Sequence, residues 1–401
     1  MVSAGARSSR GASDVKRHRN AGAKRFARFL ARGERAGGNA SQPPSVTGRH
    51  LVRMKAGVLC WILFGAGWLD AQVVLSRRDY AEHGRTFPQI WMADVGDLNF
   101  RQLTHSRRDH SEPVCSRDGK LIYFVSDRDV ERSRNSYGDY HSGEREVWAY
   151  DRQTGQERFI WRTSRDLGLD LKGTTANGGV LVSVGTELRS LAQNPWVIGN
   201  VDEAAVSPDG RRLALVIAGS YDKDGQSQNA RLFVADAATG RSRTEVGKYD
   251  GPKWSPDGTR IAAFFDGGLA ILGATTRQEV ERVVSPKRDA PSDDIVWSPD
   301  GKSLLAGIYG ENGGAGDPQN DYFLLNPATR TWTPEMTARR LLWLRGEMVL
   351  YLRPYGTTPL APASAHSVWT SQLAVYDLAS HKDTALTSGL VLNDYLSTCG
   401  H

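Results

Sequence analysis

The sequence predicts an all-β fold, a β-propeller of about seven four-stranded blades, with six or eight blades as the alternatives. Three observations predict it: a recurring tight turn, an apolar run after each turn, and a repeat period in the forties. The turn is written CSRDG, VSPDG, WSPDG and WSPDG at residues 115–119, 206–210, 254–258 and 297–301. Pro presets φ, Asp bonds its own backbone and Gly accepts a positive φ, so each copy joins two strands.

The spacing of the turn glycines gives the size of the repeated unit. Steps of 91, 48 and 43 residues separate Gly119, Gly210, Gly258 and Gly301. The first step holds two units, and weaker turns at residues 177–179 and at Gly346 supply the copies that the motif misses. The mean step from Gly119 to Gly346 is then near 45 residues, which is typical of a propeller blade rather than of a helical repeat.

Each turn is followed by strands that fit one blade. The runs LIYFV, LALVI and IAAFF at residues 121–125, 213–217 and 261–265 are apolar throughout, as in strands buried on both faces. A second apolar run, a Gly turn and a more polar run then make four antiparallel strands. Trp254 and Trp297, directly before two turns, are expected to pack between blades.

The two ends of the chain are expected to share one blade. Ahead of the first turn, residues 73–75, 90–94 and 101–104 supply three strands of a blade that lacks its first. Residues 390–396 could be that missing strand. The propeller would then be closed by pairing of N-terminal and C-terminal strands, which removes exposed sheet edges.

A family resemblance rests on these same residues. The strings IWMAD at 90–94 and RQLT at 101–104, followed by the S-x-D-G turns, resemble the WD-repeat-like propeller of TolB and of the dipeptidyl peptidase IV N-terminal region. The resemblance covers roughly residues 73–397 and implies the propeller fold, but it is specific for no one function. We expect the chain to depart from TolB, since the sequence leaves no room for the N-terminal α/β domain of that protein, and from the peptidases, whose C-terminal hydrolase domain is not expected here.

The basic charge of the chain belongs to its beginning. Residues 1–53 hold twelve Lys or Arg against two acidic residues, so the remainder carries −4 of the formal net charge of +6. This extension is expected to be disordered, and Met54 is a candidate true start. The propeller, residues 72–401, therefore gives no reason to expect nucleic acid as a partner.

Residues 54–71 are predicted to be a signal peptide that is cleaved after Ala71. The apolar stretch at 56–69 is short for a bilayer span but suits a signal-peptide core. We expect a periplasmic or secreted protein of a bacterial envelope. The alternative is a retained signal anchor, and only in that case is the protein expected to be attached to a membrane. Ring closure would bring Cys115 near Cys399, where a buried apolar role for Cys115 is favoured over a disulfide.

The sequence contains no G-x-S-x-G elbow, H-E-x-x-H, C-x-x-C or phosphate-binding loop. We therefore predict a non-catalytic binding module for a protein or peptide partner, with no enzymatic activity, cofactor, metal or catalytic residue. The alternative is a propeller enzyme such as a metal-assisted polysaccharide lyase.

The partner site is expected on the face that carries the long connections at residues 126–145, 219–230, 309–321 and 353–367. Aromatic and Arg side chains frequently anchor protein interfaces. The alternative is that these loop residues are simply exposed to solvent and have no binding role. The candidates are Tyr137, Tyr140, His141, Arg107, Arg108, His110, Tyr221, Tyr309 and Tyr355. A sharper hypothesis places a metal ion between His105, His110 and His141, by analogy with histidine-bound metals in propeller lyases.

Overall fold

A computed structural model describes residues 71–79, 87–127, 145–163, 168–223, 227–286, 292–309, 320–359, 367–387, 391–392 and 396–399. Regular structure in these ranges is entirely β, and it forms seven blades, which confirms the predicted fold class and blade number. No apolar helix long enough to cross a bilayer occurs in the described part of the chain.

The first four blades follow one another along the chain. Blade one contains β1 (Gln72–Asp79), β2 (Gln89–Asp94) and β3 (Arg101–Gln102). Blade two contains β4 (His110–Cys115), β5 (Leu121–Asp127), β6 (Arg145–Asp151) and β7 (Glu157–Arg162). Blade three contains β8 (Leu169–Thr174), β9 (Val180–Val184), β10 (Glu187–Ser190) and β11 (Val197–Ile198). Blade four contains β12 (Val201–Val206), β13 (Arg212–Ile217), a small hairpin of β14 (Ser220–Tyr221) and β15 (Ser227–Gln228), then β16 (Arg231–Asp236) and β17 (Thr244–Gly247).

The remaining blades have the same order. Blade five contains β18 (Asp250–Trp254), β19 (Arg260–Phe265), β20 (Gly268–Gly273) and β21 (Glu279–Val284). Blade six contains β22 (Ser292–Trp297), β23 (Leu304–Tyr309), β24 (Asn320–Asn326) and β25 (Thr331–Ala338). Blade seven contains β26 (Leu341–Arg345), β27 (Met348–Pro359), β28 (Ser367–Asp377) and β29 (Lys382–Ala385). Two short strands, β30 (Val391–Leu392) and β31 (Leu396–Cys399), end the described chain.

The ring is closed by the two chain ends, as predicted. β31 pairs antiparallel with β1, with Cys399 opposite Gln72 and Leu396 opposite Leu75, and so becomes the inner strand of blade one. The closing strand lies slightly later than residues 390–396, because β30 bridges β28 of blade seven and the far end of β1 instead. The inner strands β31, β4, β8, β12, β18, β22 and β26 contact their neighbours around the whole ring.

A disulfide joins Cys115 to Cys399, with the two Cα atoms 5.3 Å apart. Each cysteine is the last residue of an inner strand, β4 or β31, and these strands are neighbours in the ring. The favoured assignment of Cys115 as an unpaired buried residue is therefore wrong. The covalent bond fastens the closing strand to blade two, and so locks the ring where only a four-residue strand completes blade one.

The S-x-D-G turns also explain how neighbouring blades are held together. The indole Nε1 of Trp254 donates to the Ala205 carbonyl of the preceding blade at 3.1 Å, which confirms the predicted inter-blade role. The guanidinium of Arg212 lies 4.8 Å from the Trp254 ring and donates to the Gly258 carbonyl at 2.6 Å. Arg260 repeats this arrangement one blade later on Trp297 and Gly301. Each of these arginines therefore fastens its blade to the next.

The strand order defines two faces of the ring. The S-x-D-G turns lie on one face, and the starts of the inner strands and the connections between second and third strands lie on the other, because successive strands in a blade are antiparallel. We call the second of these the loop face. The connections from β5 to β6, β13 to β16 and β23 to β24 are long, whereas β9 and β10 are joined by Gly185 and Thr186 alone.

Candidate functional site

The inner strands are irregular where they begin on the loop face. In blades two to six, the pairing of the inner strand with the second strand slips close to this end. Such bulges bend a strand and redirect its side chains. Glu112 and Gly251, at equivalent places in blades two and five, have φ of 53° and 58°. Side chains in the first half of these inner strands therefore point in directions that a regular strand would not give them. We call the first half of the inner strands the channel mouth.

The channel mouth is rich in carboxylates at a fixed distance from the turn glycine. Glu112, Glu203 and Asp294 stand seven residues before Gly119, Gly210 and Gly301. Asp170, Asp202 and Asp250 stand eight residues before Gly178, Gly210 and Gly258. Sequence analysis overlooked these six residues, although their spacing from the turns was a usable signal. Two acid pairs result across blade boundaries, Glu112 with Asp170 and Glu203 with Asp250, and in each pair the aspartate helps to raise the pKa of the glutamate.

The glutamate of the first pair is sealed inside the protein, whereas Asp170 is partly exposed. Glu112 is buried, its Oε2 accepts the Leu171 N–H at 2.9 Å, and its Oε1 lies 3.4 Å from Arg145 Nη2. Arg145 also donates to Asp127 Oδ1 at 3.1 Å and to the Leu169 carbonyl at 2.7 Å. Burial, and then Asp170, raise the pKa of Glu112 to about 8, although Arg145 and the Leu171 N–H act in the opposite direction. The Glu112 carboxyl group thus connects blades two and three and has a structural role.

The second pair occupies the equivalent positions of the next blades but is open to solvent. The Gly251 N–H donates to Asp250 Oδ1 at 3.1 Å and lies close enough to Glu203 to lower the pKa of that carboxyl. Solvent reaches Glu203, although the surrounding strands enclose its carboxyl group on most sides. This enclosure, and then Asp250, raise the pKa of Glu203, while Lys253 and Lys172 lower it. An accessible carboxylate whose pKa is raised is a stronger base than an ordinary one and can accept and return a proton during a reaction.

Two lysines flank Glu203 from the neighbouring blades. Lys172 of blade three lies with its Nζ 3.5 Å from Asp170 Oδ2. Lys253 of blade five lies with its Nζ 3.9 Å from Asp294 Oδ1. Both are partly exposed, so their ammonium groups are within the reach of a molecule bound at the channel mouth. Cations placed beside a general base can stabilise an oxyanion that forms during a reaction.

Two tyrosines orient the remaining carboxylates. The Tyr221 hydroxyl donates to Asp202 Oδ1 at 2.7 Å, and burial and then this carboxylate raise the pKa of Tyr221 to about 12. The buried Tyr322 hydroxyl donates to Asp294 Oδ2 at 3.2 Å, and burial raises its pKa well above the usual value. Both phenols stay protonated at neutral pH and act as hydrogen-bond donors. Of the residues predicted from sequence, Tyr221 is the one that the structure brings to the channel mouth.

The other predicted site residues are scattered or lie outside the described residues. Tyr137, Tyr140 and His141 are outside them, and for Tyr309 and Tyr355 only the strand backbones of β23 and β27 are described. Arg107 is exposed, and Arg108 pairs with Glu146 Oε2 at 3.0 Å while lying 5.9 Å from the Trp148 ring. The structure therefore does not gather Arg107 and Arg108 around the channel mouth.

His110 is a buried residue of the loop face rather than an open binding group. Its Nε2 and Nδ1 lie 2.9 Å from the hydroxyls of Ser106 and Thr104, and its ring packs 4.6 Å from that of Phe124. Burial, and then the charge of Arg108, lower the pKa of His110 to about 3, so the ring is neutral at physiological pH. His105 is exposed, and no group of three His, Cys, Asp or Glu is placed to hold a metal ion among the described residues.

Comparison with known proteins places the chain by its fold. No family model and no curated protein matches the sequence. A periplasmic gluconolactonase from Pseudomonas aeruginosa is similar at a TM-score of 0.53 and 14% identity, over 82% of this chain and 99% of that chain. A Bacteroides uniformis protein, provisionally assigned as a 6-phosphogluconolactonase, is similar at 0.52 and 14%, over 82% and 99%. TolB from Acinetobacter baumannii is similar at 0.47 and 12%, over 83% and 67%.

These similarities concern the fold. The propeller architecture of the chain itself confirms the resemblance to TolB-like propellers as one of fold. The similarities also correct two predictions, since the expectation of a non-catalytic binding module without enzymatic activity is contradicted by similar structures that are lactonases. The alternative of a propeller enzyme is now the better interpretation, and the protein or peptide partner stays an untested prediction. The chain has a seven-bladed propeller fold, and the two lactonase structures are similar to it over most of its length.

Proposed function

We propose that this protein is an enzyme that hydrolyses the lactone of a sugar acid at the channel mouth. The observation that carries the proposal is the open pair of Glu203 and Asp250 between Lys172 and Lys253. The fold shared with a gluconolactonase supports lactone hydrolysis in place of the lyase chemistry that the sequence suggested.

The chemistry needs one group that takes a proton and gives it back. The Glu203 carboxylate accepts a proton from water while the water oxygen bonds to the lactone carbonyl carbon. Lys172 and Lys253 stabilise the negative charge that develops on the carbonyl oxygen. The bond between that carbon and the ring oxygen then breaks, and Glu203 returns the proton to the ring oxygen. One water is consumed and one hydroxy acid is formed.

Burial, and then the Asp250 carboxylate, set the working pH of this base. By raising the pKa of Glu203 they make its carboxylate a stronger base, and the two lysines limit that rise. The base form is required, so the rate is expected to rise with pH through the raised pKa of Glu203 and then level off. With an unperturbed glutamate as the base, the rate would instead level off near the ordinary glutamate pKa, at about pH 5.

We also propose that the enzyme works outside the cytoplasm. The Cys115–Cys399 disulfide supports this, because such bonds persist in oxidising compartments. The predicted signal peptide at residues 54–71 points the same way, and one protein of the same fold is described as periplasmic. N-terminal sequencing of the exported protein tests both the export and the cleavage after Ala71, and a mature chain that retains Arg25 would contradict them.

The test of the activity is hydrolysis of glucono-1,5-lactone, followed by acid release in a pH-stat and corrected for spontaneous opening. Glu203→Gln is expected to lower kcat/KM on the order of 100- to 10,000-fold while the unfolding midpoint is kept. Glu112→Gln is the matched control, because it changes the equivalent, sealed carboxyl of the first pair and should keep most of the rate. An inactive wild-type protein, or equal rates for wild type and Glu203→Gln, would refute the proposal.

A further inference from the structure

We infer that the channel mouth selects an uncharged sugar lactone and rejects its phosphorylated form. The inference rests on the proposed function and adds the class of substrate. It follows from the charges of the inner strands and from which of their donors are already occupied. The two lactonases of similar fold differ in this respect by name, one acting on gluconolactone and the other assigned to a phosphorylated lactone.

At the channel mouth of blades three to six, the described side chains of the inner strands carry more negative than positive charge. Blades three to six contribute five carboxylates and two lysines there, and they are Asp170, Asp202, Glu203, Asp250, Asp294, Lys172 and Lys253. The lysines themselves lie beside Asp170 and Asp294, at 3.5 Å and 3.9 Å. A phosphate dianion brought among these groups would meet a net repulsion, which an uncharged ligand would not.

The donors that proteins use to hold phosphate are occupied by this chain's own acids. Phosphate sites are usually built from backbone N–H groups and from Arg side chains with several free donors. At the bulges, however, the Leu171 N–H donates to Glu112 and the Gly251 N–H donates to Asp250. Arg145 is buried and divides its donors among Glu112, Asp127 and the Leu169 carbonyl. Among the described residues of the channel mouth, these donors are therefore not available to hold a phosphate.

The groups that remain match the hydroxyls of a sugar. Asp170 and Asp250 are at least partly exposed and are acceptors, so they can each receive an O–H from a polyol. Asp202 is held in place by Tyr221 and keeps a second oxygen for the same purpose. A ring of carboxylate acceptors around one general base is therefore suited to an uncharged polyhydroxy substrate whose hydroxyls act as donors.

Binding and turnover test the inference separately. The hydrolysis-resistant glucono-1,5-lactam and its 6-phosphate would be titrated into the purified protein by calorimetry, and the corresponding lactones would be compared as substrates. We expect the phosphorylated form to bind at least about tenfold more weakly and to show a similarly lower kcat/KM. Asp202→Asn removes one of the three net negative charges and should reduce this preference about twofold at low salt. Glu245→Gln, an equal charge change on the outer strand β17, should leave the preference unaltered.

The outcomes distinguish the two proposals. Equal or tighter binding of the phosphorylated lactam, or no binding of either lactam, would overturn the inference. Efficient turnover with preference for the phosphorylated lactone would overturn it while leaving the proposed function intact. Binding of the uncharged lactam without turnover of the lactone would refute the proposed function and leave the selectivity standing.

Discussion

Breaking the Cys115–Cys399 disulfide should destabilise the propeller more than any other single covalent change. The bond closes a loop between residues that are 284 positions apart, and the loop contains almost the whole ring. For a loop of 284 residues the chain-entropy relation gives about 5.6 kcal/mol at 25 °C. Measured disulfide contributions seldom exceed about 5 kcal/mol, so we expect reduction to lower the free energy of unfolding by about 3–5 kcal/mol.

The assay is guanidinium unfolding of the oxidised and the reduced wild-type protein, followed by the fluorescence of the inter-blade tryptophans. Reduction is the primary comparison because it keeps both side chains and so creates no cavity. Cys115→Ser, Cys399→Ser and the double variant should all lose a similar amount, since each removes the same bond. Coincident unfolding curves for oxidised and reduced protein would refute the reasoning, and so would a double variant that loses the sum of the two single losses.

Two further predictions concern the acid pairs. Because the folded-state pKa of Glu112 is raised to about 8, its protonated form is favoured on folding, and this stabilisation is complete below pH 4.5 and is lost as pH rises through 8. Wild type should therefore lose stability relative to Glu112→Gln as the pH rises from 5 to 8. The difference in unfolding free energy should change by at most about 1.4 kcal/mol per pH unit. A wild type that instead gains stability relative to the variant would indicate an ionised pair with Arg145 and contradict the prediction. Gly251→Ala would place a Cβ 2.9 Å from Phe264 Cδ2 at a φ of 58° and displace the N–H that donates to Asp250, the aspartate beside Glu203, so we expect a loss of about 1–3 kcal/mol in the free energy of unfolding together with reduced kcat/KM. Gly346→Ala, with φ of 48° and no atom within 4 Å of the added Cβ, is its control, and equal effects on activity at the two positions would contradict this role of Gly251.

The blades could be predicted from sequence because their signal is local. Asp209 and Gly210 specify a turn through contacts within five residues, and the same chemistry recurs at Asp257 and Gly258. Closure by the C-terminal strand could also be predicted, since a blade with three strands needs a fourth. Its position could not be fixed to the residue, because β30 competes for the end of β1.

The candidate site escaped prediction because it is made across blade boundaries. Glu203 and Asp250 are 47 residues apart, and they meet only because bulges in β12 and β18 redirect the side chains of two adjacent inner strands. The prediction that His110 is an accessible binding residue was wrong. A histidine next to a loop was expected to be open, yet Ser106 and Thr104 bond both of its ring nitrogens. Burial of a polar residue depends on such partners, which a linear sequence does not show.

The two acid pairs show how equivalent positions of a repeat can serve stability in one place and chemistry in another. In both, a glutamate seven residues before a turn glycine lies beside an aspartate of the next blade. Arg145 fills the space around Glu112, so its carboxyl group cannot meet a ligand. Around Glu203 the cations are lysines on flexible stems that leave the carboxyl group open to solvent. The cation beside each glutamate therefore governs its access to solvent. An arginine that sealed Glu203 as Arg145 seals Glu112 would be expected to abolish hydrolysis while strengthening the contact between blades four and five.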